Sequence, residues 1–311
     1  MNLLQLQIVV AITDAQLSIS AAAANLDLSQ PALSKHLIAF EKELGLHLFD
    51  RRGKRLARIT PAGEDVLGIA RRVLGEVTNI QAISSEFKNA IGGALTIATT
   101  HTQARYVLPA VIEPFMKRFP ECKLALKQGT PQSCAALVAS GQADIAIATE
   151  ALAEHPDLAT LPVYDWNRVL VMTADHPLAR IKKPKLAELA RHPLITYDGT
   201  FTGRSKTDAA FRQAGLLPNV VLTALDSDII KTYVRLGLGV GIIAQMAVEP
   251  KRDDDLVAVD ASHLFAPSTT RVGLRRGSVQ RLTVYEFIGH FAPQLTRKQI
   301  NAAIATAKPK T

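Results

Sequence analysis

The sequence predicts an α/β protein in two unlike parts. A small helix-turn-helix unit with a basic wing and a long following helix comes first, then a larger unit of alternating strands and helices. Three observations carry this. Residues 18–44 read as two helices parted by a tight break, residues 50–58 crowd five cations around one glycine, and from Gly92 onward short apolar runs alternate with helical segments.

The chain has 311 residues, 48% hydrophobic and 21% charged, the balance of a globular protein of two or three domains. That composition excludes a disordered chain, a collagen and a coiled-coil rod, and no run reaches the roughly 18 apolar residues of a membrane span. Aromatics are 5%, so cores must be built from Ala, Leu, Val and Ile. Two cysteines in such a length point to a reducing compartment rather than a disulfide framework. The opening Met1-Asn2-Leu3-Leu4-Gln5 lacks the basic region and apolar run of a secretory signal, so the expected location is the cytoplasm. Net charge is +8, yet residues 1–92 carry ten Lys and Arg against nine Asp and Glu. A nucleic-acid reading must therefore rest on local pattern.

Leu3, Leu6, Ile8, Val9 and Ile12 fall at helical spacing and predict a short amphipathic helix. A second helix starts near Ser18, and its alanines at 21–24 let a neighbouring helix approach closely. After a break at Asp27-Leu28, Ser29 is a natural N-cap, with Gln30 and Pro31 in the first turn. Leu33, Leu37 and Phe40 form the buried face, leaving Ser34, Lys35 and Ile38 off it. A helix entered through small polar residues after a tight turn fits the major groove, where its first residues reach base edges. An ordinary helical hairpin is the alternative for the same residues. Gly45 closes the helix, and residues 50–58 predict a two-stranded wing with a basic tip over the sugar-phosphate backbone. Candidate DNA contacts are Ser29, Gln30, Pro31, Ser34 and Lys35 on the helix and Arg51, Arg52, Lys54 and Arg55 on the wing.

Thr60 and Pro61 start a long helix, with Glu64 and Asp65 at its positive end. Val66, Val73, Ile80 and Phe87 recur every seven residues, with Ile69 and Ile83 on the same side. Such a stripe predicts burial against a second copy, hence a dimer; packing against the chain's own larger unit is the alternative.

In the larger unit, strands are read at residues 94–99, 123–127, 144–148, 168–172 and 240–244. Helices are read at 103–119, 132–140, 186–190, 205–214 and 227–236. This alternation predicts mainly parallel sheets, whose ligands sit outside the carboxyl ends of the strands. Hydroxyl-rich segments fall at the junctions: Thr99-Thr100-His101-Thr102-Gln103, Thr149, and Thr202-Gly203, with Gln128-Gly129-Thr130 as a further polar strand end. Hydroxyls gathered at helix N-termini can hold a small anion, the amides supplying positive potential. Any one threonine alone could equally be a plain cap.

Residues 22–35 (Ala-Ala-x-x-Leu-x-x-Ser-Gln-Pro-Ala-x-Ser-Lys), Phe40-Glu41-x-x-Leu44-Gly45-x-x-Leu48-Phe49-x-Arg51 and Thr60-Pro61-Ala62-Gly63 resemble the LysR-type transcriptional regulators. Residues 99–106, 146–151, 166–168, 201–205 and 230–241 narrow the resemblance to the cysteine-regulon activators, the CysB/Cbl branch. The resemblance implies a winged helix-turn-helix over 1–59, a dimerising linker helix over 60–91 and an effector-binding domain over 92–311. That domain would be of the two-subdomain, periplasmic-binding-protein-like (type 2) kind, with subdomain I at about 92–163 and 267–311 and subdomain II at about 164–266. The resemblance further implies promoter DNA bound by a dimer of dimers, contact with RNA polymerase and no cofactor. The effector would be acetylserine, sulfate or thiosulfate, held at Thr100, Thr102, Gln103, Thr149 and Thr202, with Trp166 in the wall. Gln128 and Gly129 join these as the neighbouring strand end. The sequence departs from the branch at residues 198–200, Asp-Gly-Thr, and at Lys35-His36; residues 1–21 are the least similar part. Regulators of sulfonate or sulfate-ester use that answer to adenosine phosphosulfate belong to the same branch and remain the alternative.

No catalytic constellation stands out. There is no Gly-x-Ser-x-Gly elbow and no phosphate-binding Gly-Lys-Ser/Thr loop. Cys122 and Cys134 lack a second pair for zinc and read as buried thiols. Gly237-Leu-Gly-Val-Gly241 precedes its strand, the wrong order for a dinucleotide loop. A solute-binding protein would account for the larger unit but not for the first ninety residues. An enzyme on a doubly wound sheet would need a nucleophile and base that the sequence does not display.

Overall fold

The first helix is set by a reciprocal cap: the Gln5 N–H donates to Asn2 Oδ1 (3.0 Å) and the Asn2 N–H donates to Gln5 Oε1 (2.8 Å). The structure, a computed structural model, describes residues 1–53, 55–87, 93–199 and 202–305, without the side chains at 78, 79, 81–87, 202 and 203. It divides into two compact units, Met1–Ala90 with Ser140–Gln142, and Ile91–Ala139 with Ala143–Thr311.

In the first unit α1 (Leu3–Asp14), α2 (Ile19–Asn25) and α3 (Gln30–Leu44) are followed by the antiparallel hairpin β1 (Phe49–Arg52) and β2 (Arg55–Ile59), then α4 (Pro61–Phe87). Ile8, Ile12, Ala22, Leu33, Leu37 and Phe40 close one core with Leu48, Phe49, Leu67 and Ala70. Leu3, expected on the buried stripe of α1, is 44% exposed, because the helix begins at that residue and its first turn overhangs the core. Val66 also leaves its expected role: it packs on this core with Leu74. The outward stripe of α4 is then Ile69, Val73 and Ile80, all exposed. Ile83 and Phe87 lie outside the described side chains. Thr60 Oγ1 donates to the His47 carbonyl (2.7 Å) and accepts from the Gly63 N–H (3.0 Å). Gly63 thereby lies so close to the Leu48 carbonyl that a Cβ would stand 2.1 Å from its oxygen.

The second unit holds two five-stranded sheets. The first has the order β4 (Cys122–Gln128), β3 (Gly93–Thr99), β5 (Ile145–Ala148), β12 (Ser268–Arg275), β6 (Leu158–Trp166). The second has the order β11 (Leu256–Asp260), β7 (Arg168–Thr173), β10 (Val240–Ala244), β8 (Leu194–Tyr197), β9 (Val220–Ala224). Helices α5 (Leu108–Arg118), α6 (Pro131–Ala139), α10 (Leu282–Phe291) and α11 (Arg297–Ala305) accompany the first sheet; α7 (Leu186–Leu189), α8 (Thr202–Gln213) and α9 (Ser227–Arg235) accompany the second. Both sheets are covered on both faces, and strand alternation assigns the faces. Ile145 and Ile147 enter the Phe115–Phe287 core while Ala146 and Ala148 enter the opposite one with Cys134. Likewise Leu170 and Met172 face Phe211, and Val169 and Val171 face Ile230. Cys122 and Cys134 are both buried, in the cores on opposite faces of the first sheet. Burial pushes the Cys134 thiol up to about 12.

The expectation of mainly parallel sheets needs correction. β3 pairs in parallel with β4 and β5, and β8 with β9 and β10, but β12 and β7 run antiparallel to both their neighbours. The chain passes from the first sheet to the second through Trp166-Asn167-Arg168 and returns through residues 261–267. A strand that enters a sheet after such a crossing has no βαβ geometry to hold it parallel. Helix α8 starts at Thr202 rather than at Ser205.

Candidate functional site

Two regions gather the predicted site residues. In the first unit Asp27 takes a left-handed φ of +52° between α2 and α3, and the Leu28 N–H bonds back to the Ala23 carbonyl (2.9 Å). Ser29 then caps α3, accepting from the Ala32 N–H (3.3 Å). Ser29, Gln30, Pro31 and Lys35 are exposed and Ser34 is half-buried, so the first two turns of α3 present small polar groups and one cation. Gln30 accepts from Ser20 Oγ (3.3 Å), a bond between the two helices. The far end of α3 is tied to the wing by buried Glu41, which accepts from the Leu48 and Phe49 N–H groups (2.8 and 3.3 Å) and from Arg51 Nη2 (3.1 Å). Arg51 is thus engaged with Glu41, and Arg58 pairs with Asp50. Arg52 and Arg55, flanking the left-handed turn at Gly53, are exposed and have no ion-pair partner among the described residues. Lys54 lies outside the described residues.

In the second unit the segments at the carboxyl ends of β3, β5 and β8 approach one another: Thr102, after β3, hydrogen-bonds Tyr197 of β8, and Glu150, after β5, pairs with Lys206 of α8, so this junction is the candidate ligand crevice. β3 ends in Thr99, whose hydroxyl donates to the Ile147 carbonyl (2.8 Å), while the buried Thr100 hydroxyl has no protein partner among the described residues. Residues 101–118 form one helix that widens into a π-turn over Gln103–Val107, just before Pro109, which has no N–H for the Arg105 carbonyl. Gln103 is buried with its amide engaged at both ends, Nε2 donating to Thr270 Oγ1 (3.1 Å) and Oε1 accepting from Tyr164 (2.7 Å). What Gln103 can offer a ligand is its main-chain N–H in the first helical turn. Thr102 hydrogen-bonds Tyr197, whose hydroxyl also meets Ser227 Oγ (2.6 Å) and the Ala244 N–H (3.2 Å). Burial holds the Tyr197 phenol above its ordinary range. Thr149 is buried at the head of the single turn Glu150–Glu154. Thr202 is the first residue of α8, with its side chain outside the described ones. Gln128 is exposed at the end of the edge strand β4, and the Gly129 N–H already donates to the Thr99 carbonyl (3.1 Å), so this strand end offers the crevice little.

Several groups at this crevice were not singled out by sequence reasoning. Arg168 is 2% exposed, donates to the Ala266 carbonyl and Ser268 Oγ (both 2.9 Å), and lies 5.3 Å from the Trp166 ring. Desolvation pulls its guanidinium below the usual range, against the favourable fields of Tyr197 and Glu150. Its sequence signal was available: a charge that opens an otherwise apolar strand has to be buried with it. Polar bridges cross from one sheet's half to the other: Arg105 to Glu249 (2.8 Å), Tyr106 to Asp228 (2.5 Å) and Lys206 to Glu150 (2.5 Å). Burial and then the Asp228 hydrogen bond raise the Tyr106 phenol well above its normal range. Five buried side-chain atoms lack a partner among the described residues: His101 Nδ1, Glu150 Oε2 and Trp166 Nε1 belong to residues at or just past the ends of β3, β5 and β6, while Thr196 Oγ1 and Arg271 Nε lie within β8 and β12. Buried polar atoms are seldom left unpaired unless a ligand or water completes them.

Residues 3–64 match the bacterial regulatory helix-turn-helix protein, lysR family, and residues 88–296 match the LysR substrate binding domain. The chain is a LysR-family transcriptional regulator. This LysR-type regulator is 46% identical over 307 residues to the HTH-type transcriptional regulator SsuR of Burkholderia cenocepacia, covering 99% of this chain and 100% of SsuR. It is 46% identical over 303 residues to the HTH-type transcriptional regulator CysB of Haemophilus influenzae, covering 97% and 94% of the two chains. The crystal structure of the cofactor-binding domain of the Cbl transcriptional regulator superposes with a TM-score of 0.67 at 45% identity, covering 70% of this chain and 95% of that one. The α1–α4 unit is therefore the DNA-binding part of a LysR regulator, the two-sheet unit is its substrate-binding part, and the family is one of regulators rather than enzymes. Among the described residues no helix is long and apolar enough to cross a membrane.

Proposed function

We propose that this LysR regulator controls genes of sulfur assimilation and cysteine biosynthesis, reading promoter DNA with α3 and answering to a small sulfur-pathway effector held in the crevice. The observation that carries the effector reading is the approach of the ends of β3, β5 and β8 to one another, where Thr102 meets Tyr197 and Glu150 meets Lys206. The sulfur assignment rests on the residues resembling cysteine-regulon activators and on the similarity to CysB, Cbl and SsuR. Thr100, Thr102, Thr149 and Thr202, with the Gln103 N–H, line the anion end; Trp166 forms a wall; Gln128 and Gly129 stay at the margin. Acetylserine, sulfate and thiosulfate are the expected effectors. Control of sulfonate or sulfate-ester use through adenosine phosphosulfate is the second reading, raised by the departure from the branch at residues 198–200 and by the similarity to SsuR. Titration calorimetry with all four compounds separates the two. Thr100→Ala should weaken effector binding about tenfold and leave DNA retention intact; unchanged effector affinity would remove the crevice assignment.

On the DNA side, Gln30, Pro31, Ser34 and Lys35 read bases and adjacent phosphates, with Ser29 at the helix start. Arg52, Arg55 and Lys54 contact the backbone; Arg51 contributes less because Glu41 holds it. Dimers form along the Ile69, Val73 and Ile80 stripe of α4, pair into tetramers, and place recognition helices about 34–36 Å apart or at a multiple of that. Effector binding changes the angle between dimers, and with it the DNA bend and the contact with RNA polymerase, to the extent that it favours one arrangement. Ser34→Ala combined with Lys35→Ala should weaken specific promoter binding by about ten- to hundredfold without altering effector affinity. Footprints identical to wild type would move the reading surface elsewhere.

A further inference from the structure

The positive charge of this chain does not lie in its helix-turn-helix. Residues 1–92 are nearly balanced, which leaves 26 Lys and Arg against 19 Asp and Glu for residues 93–311. Five of those cations, Arg180, Lys182, Lys183, Lys185 and Arg191, fall within one short segment between β7 and β8. The segment is a compact excursion whose ends meet: the His176 and His192 rings pack edge to face, 4.7 Å between centroids. Leu178 and Leu189 are buried in the Phe211 core, with Ile181 and Leu186 packed against it. All five cations are exposed, so turning those apolar positions inward leaves the charges together on the solvent side. None has an ion-pair partner among the described residues. The acids nearby are engaged by hydrogen bonds. Glu188 accepts from the Lys185 N–H (2.7 Å), Thr173 bonds Asp175, and Asp260 accepts from the Ser262 hydroxyl (2.6 Å) close to where His263 meets the Pro184 carbonyl. With all three acids counted, the cations are still in excess.

From this arrangement we infer that the face formed by residues 180–191 is a second DNA contact, whose lysines and arginines meet backbone phosphates of a duplex apart from those met by α3 and the wing. Charge complementarity names the partner, since a duplex offers one negative charge per about 1.7 Å of its axis. A protein partner suits the face less. Protein interfaces centre on aromatic and apolar anchors and are poor in lysine, whereas every exposed side chain from 180 to 191 except Ala187 is a cation. Such contacts add affinity and salt dependence without reading sequence. The inference rests on the chain binding DNA, and not on which residues of α3 read bases.

The test is fluorescence anisotropy of the full chain on a mixed-sequence duplex of about 60 base pairs, from about 50 to 200 mM salt, where log K falls by about 0.9 per phosphate contact for each tenfold rise in salt. Lys182→Gln, Lys183→Gln and Lys185→Gln combined should make that slope shallower by about two to three. The three side chains are exposed, so the variant should melt with the wild type. A control variant removes the same charge elsewhere in the second unit, through Lys123→Gln, Lys251→Gln and Lys298→Gln, all exposed. Its slope should stay within about one of wild type. A wild-type slope in the Lys182, Lys183 and Lys185 variant overturns the inference and leaves the face to an acidic protein surface. Equal changes in the two variants overturn it too, because net charge alone then accounts for the effect. A wild-type chain that does not retain the duplex at low salt overturns DNA binding itself, and this inference with it.

Discussion

Alanine at Gly63 is expected to unfold the DNA-binding unit at temperatures where the substrate-binding unit is still folded. Two effects oppose each other. Inside a helix, Gly→Ala normally stabilises by about 0.5–1 kcal/mol through backbone entropy. Here the new methyl would stand 2.1 Å from the Leu48 carbonyl oxygen and 2.7 Å from Ile59 Cγ1. A backbone carbonyl cannot step aside as a side-chain tip can, and overpacking of this kind costs about 3 kcal/mol. The steric term wins. In a unit of this size that loss lowers Tm by about 12–24 °C. Calorimetry of Gly63→Ala should show the first transition displaced and the second in place, with promoter retention lost and effector binding kept. A variant melting with the wild type would mean that α4 and the segment before the wing do not pack as closely as described.

The second large effect is expected at Asp253. Its carboxylate accepts from Lys231 Nζ (2.8 Å), from the Glu249 N–H (2.9 Å) and from Arg235 (2.9 Å), and Lys231 is almost wholly buried, with the Ala247 carbonyl as its other hydrogen-bond partner. Asp253→Ala leaves that buried ammonium only the Ala247 carbonyl and the longer ion pair to Asp228 Oδ1 (3.6 Å), a change worth about 3 kcal/mol and about 6–12 °C in the Tm of the substrate-binding unit. Burial acts to raise the Asp253 carboxyl, but the hydrogen bonds from Lys231, Glu249 and Arg235 outweigh it and hold it below the ordinary carboxylate range. A depressed folded value means that the stabilisation is fully present above the unfolded carboxyl's value near 4. It is lost as pH falls through the lower folded value. The gap in Tm between wild type and variant should therefore be widest at neutral pH and narrow below about pH 4. A constant gap down to pH 3 would show that the loss is one of packing rather than of charge.

The DNA-binding unit was legible in the sequence because its signals are local. Ser29, Pro31 and Gly45 mark the ends of α3 by cap chemistry that acts within one turn, and the buried Leu33, Leu37 and Phe40 follow from helical spacing. The larger unit was legible only in part. β5, β7 and β10 are apolar runs and were found, whereas β12 opens with Ser268 and Thr270, polar yet wholly buried because it lies between β5 and β6. β6 carries Pro162 in its middle, which argues against a strand, and the pairing with β12 indeed shifts register beside it, between Thr270 and Arg271. The threonine-rich junctions were visible as strand ends. Glu150, Arg168 and Tyr197 were not, since their role comes from contacts with Thr269, Ser268 and Ser227 that lie 30 to 119 positions away in the chain. Gln103 shows the reverse error: a residue type suited to an anion, whose side chain the fold uses to join the start of its helix to Tyr164 and Thr270.

Two strands of covalent chain join the halves of the substrate-binding unit, and the Arg168 guanidinium, which belongs to one of them, grips two points of the other, at Ala266 and Ser268. Two connections braced to each other in this way restrict twisting and sliding of one half against the other more than they restrict a hinge-like rotation. A ligand held at the strand ends would then act on the rest of the protein chiefly through the angle between the halves.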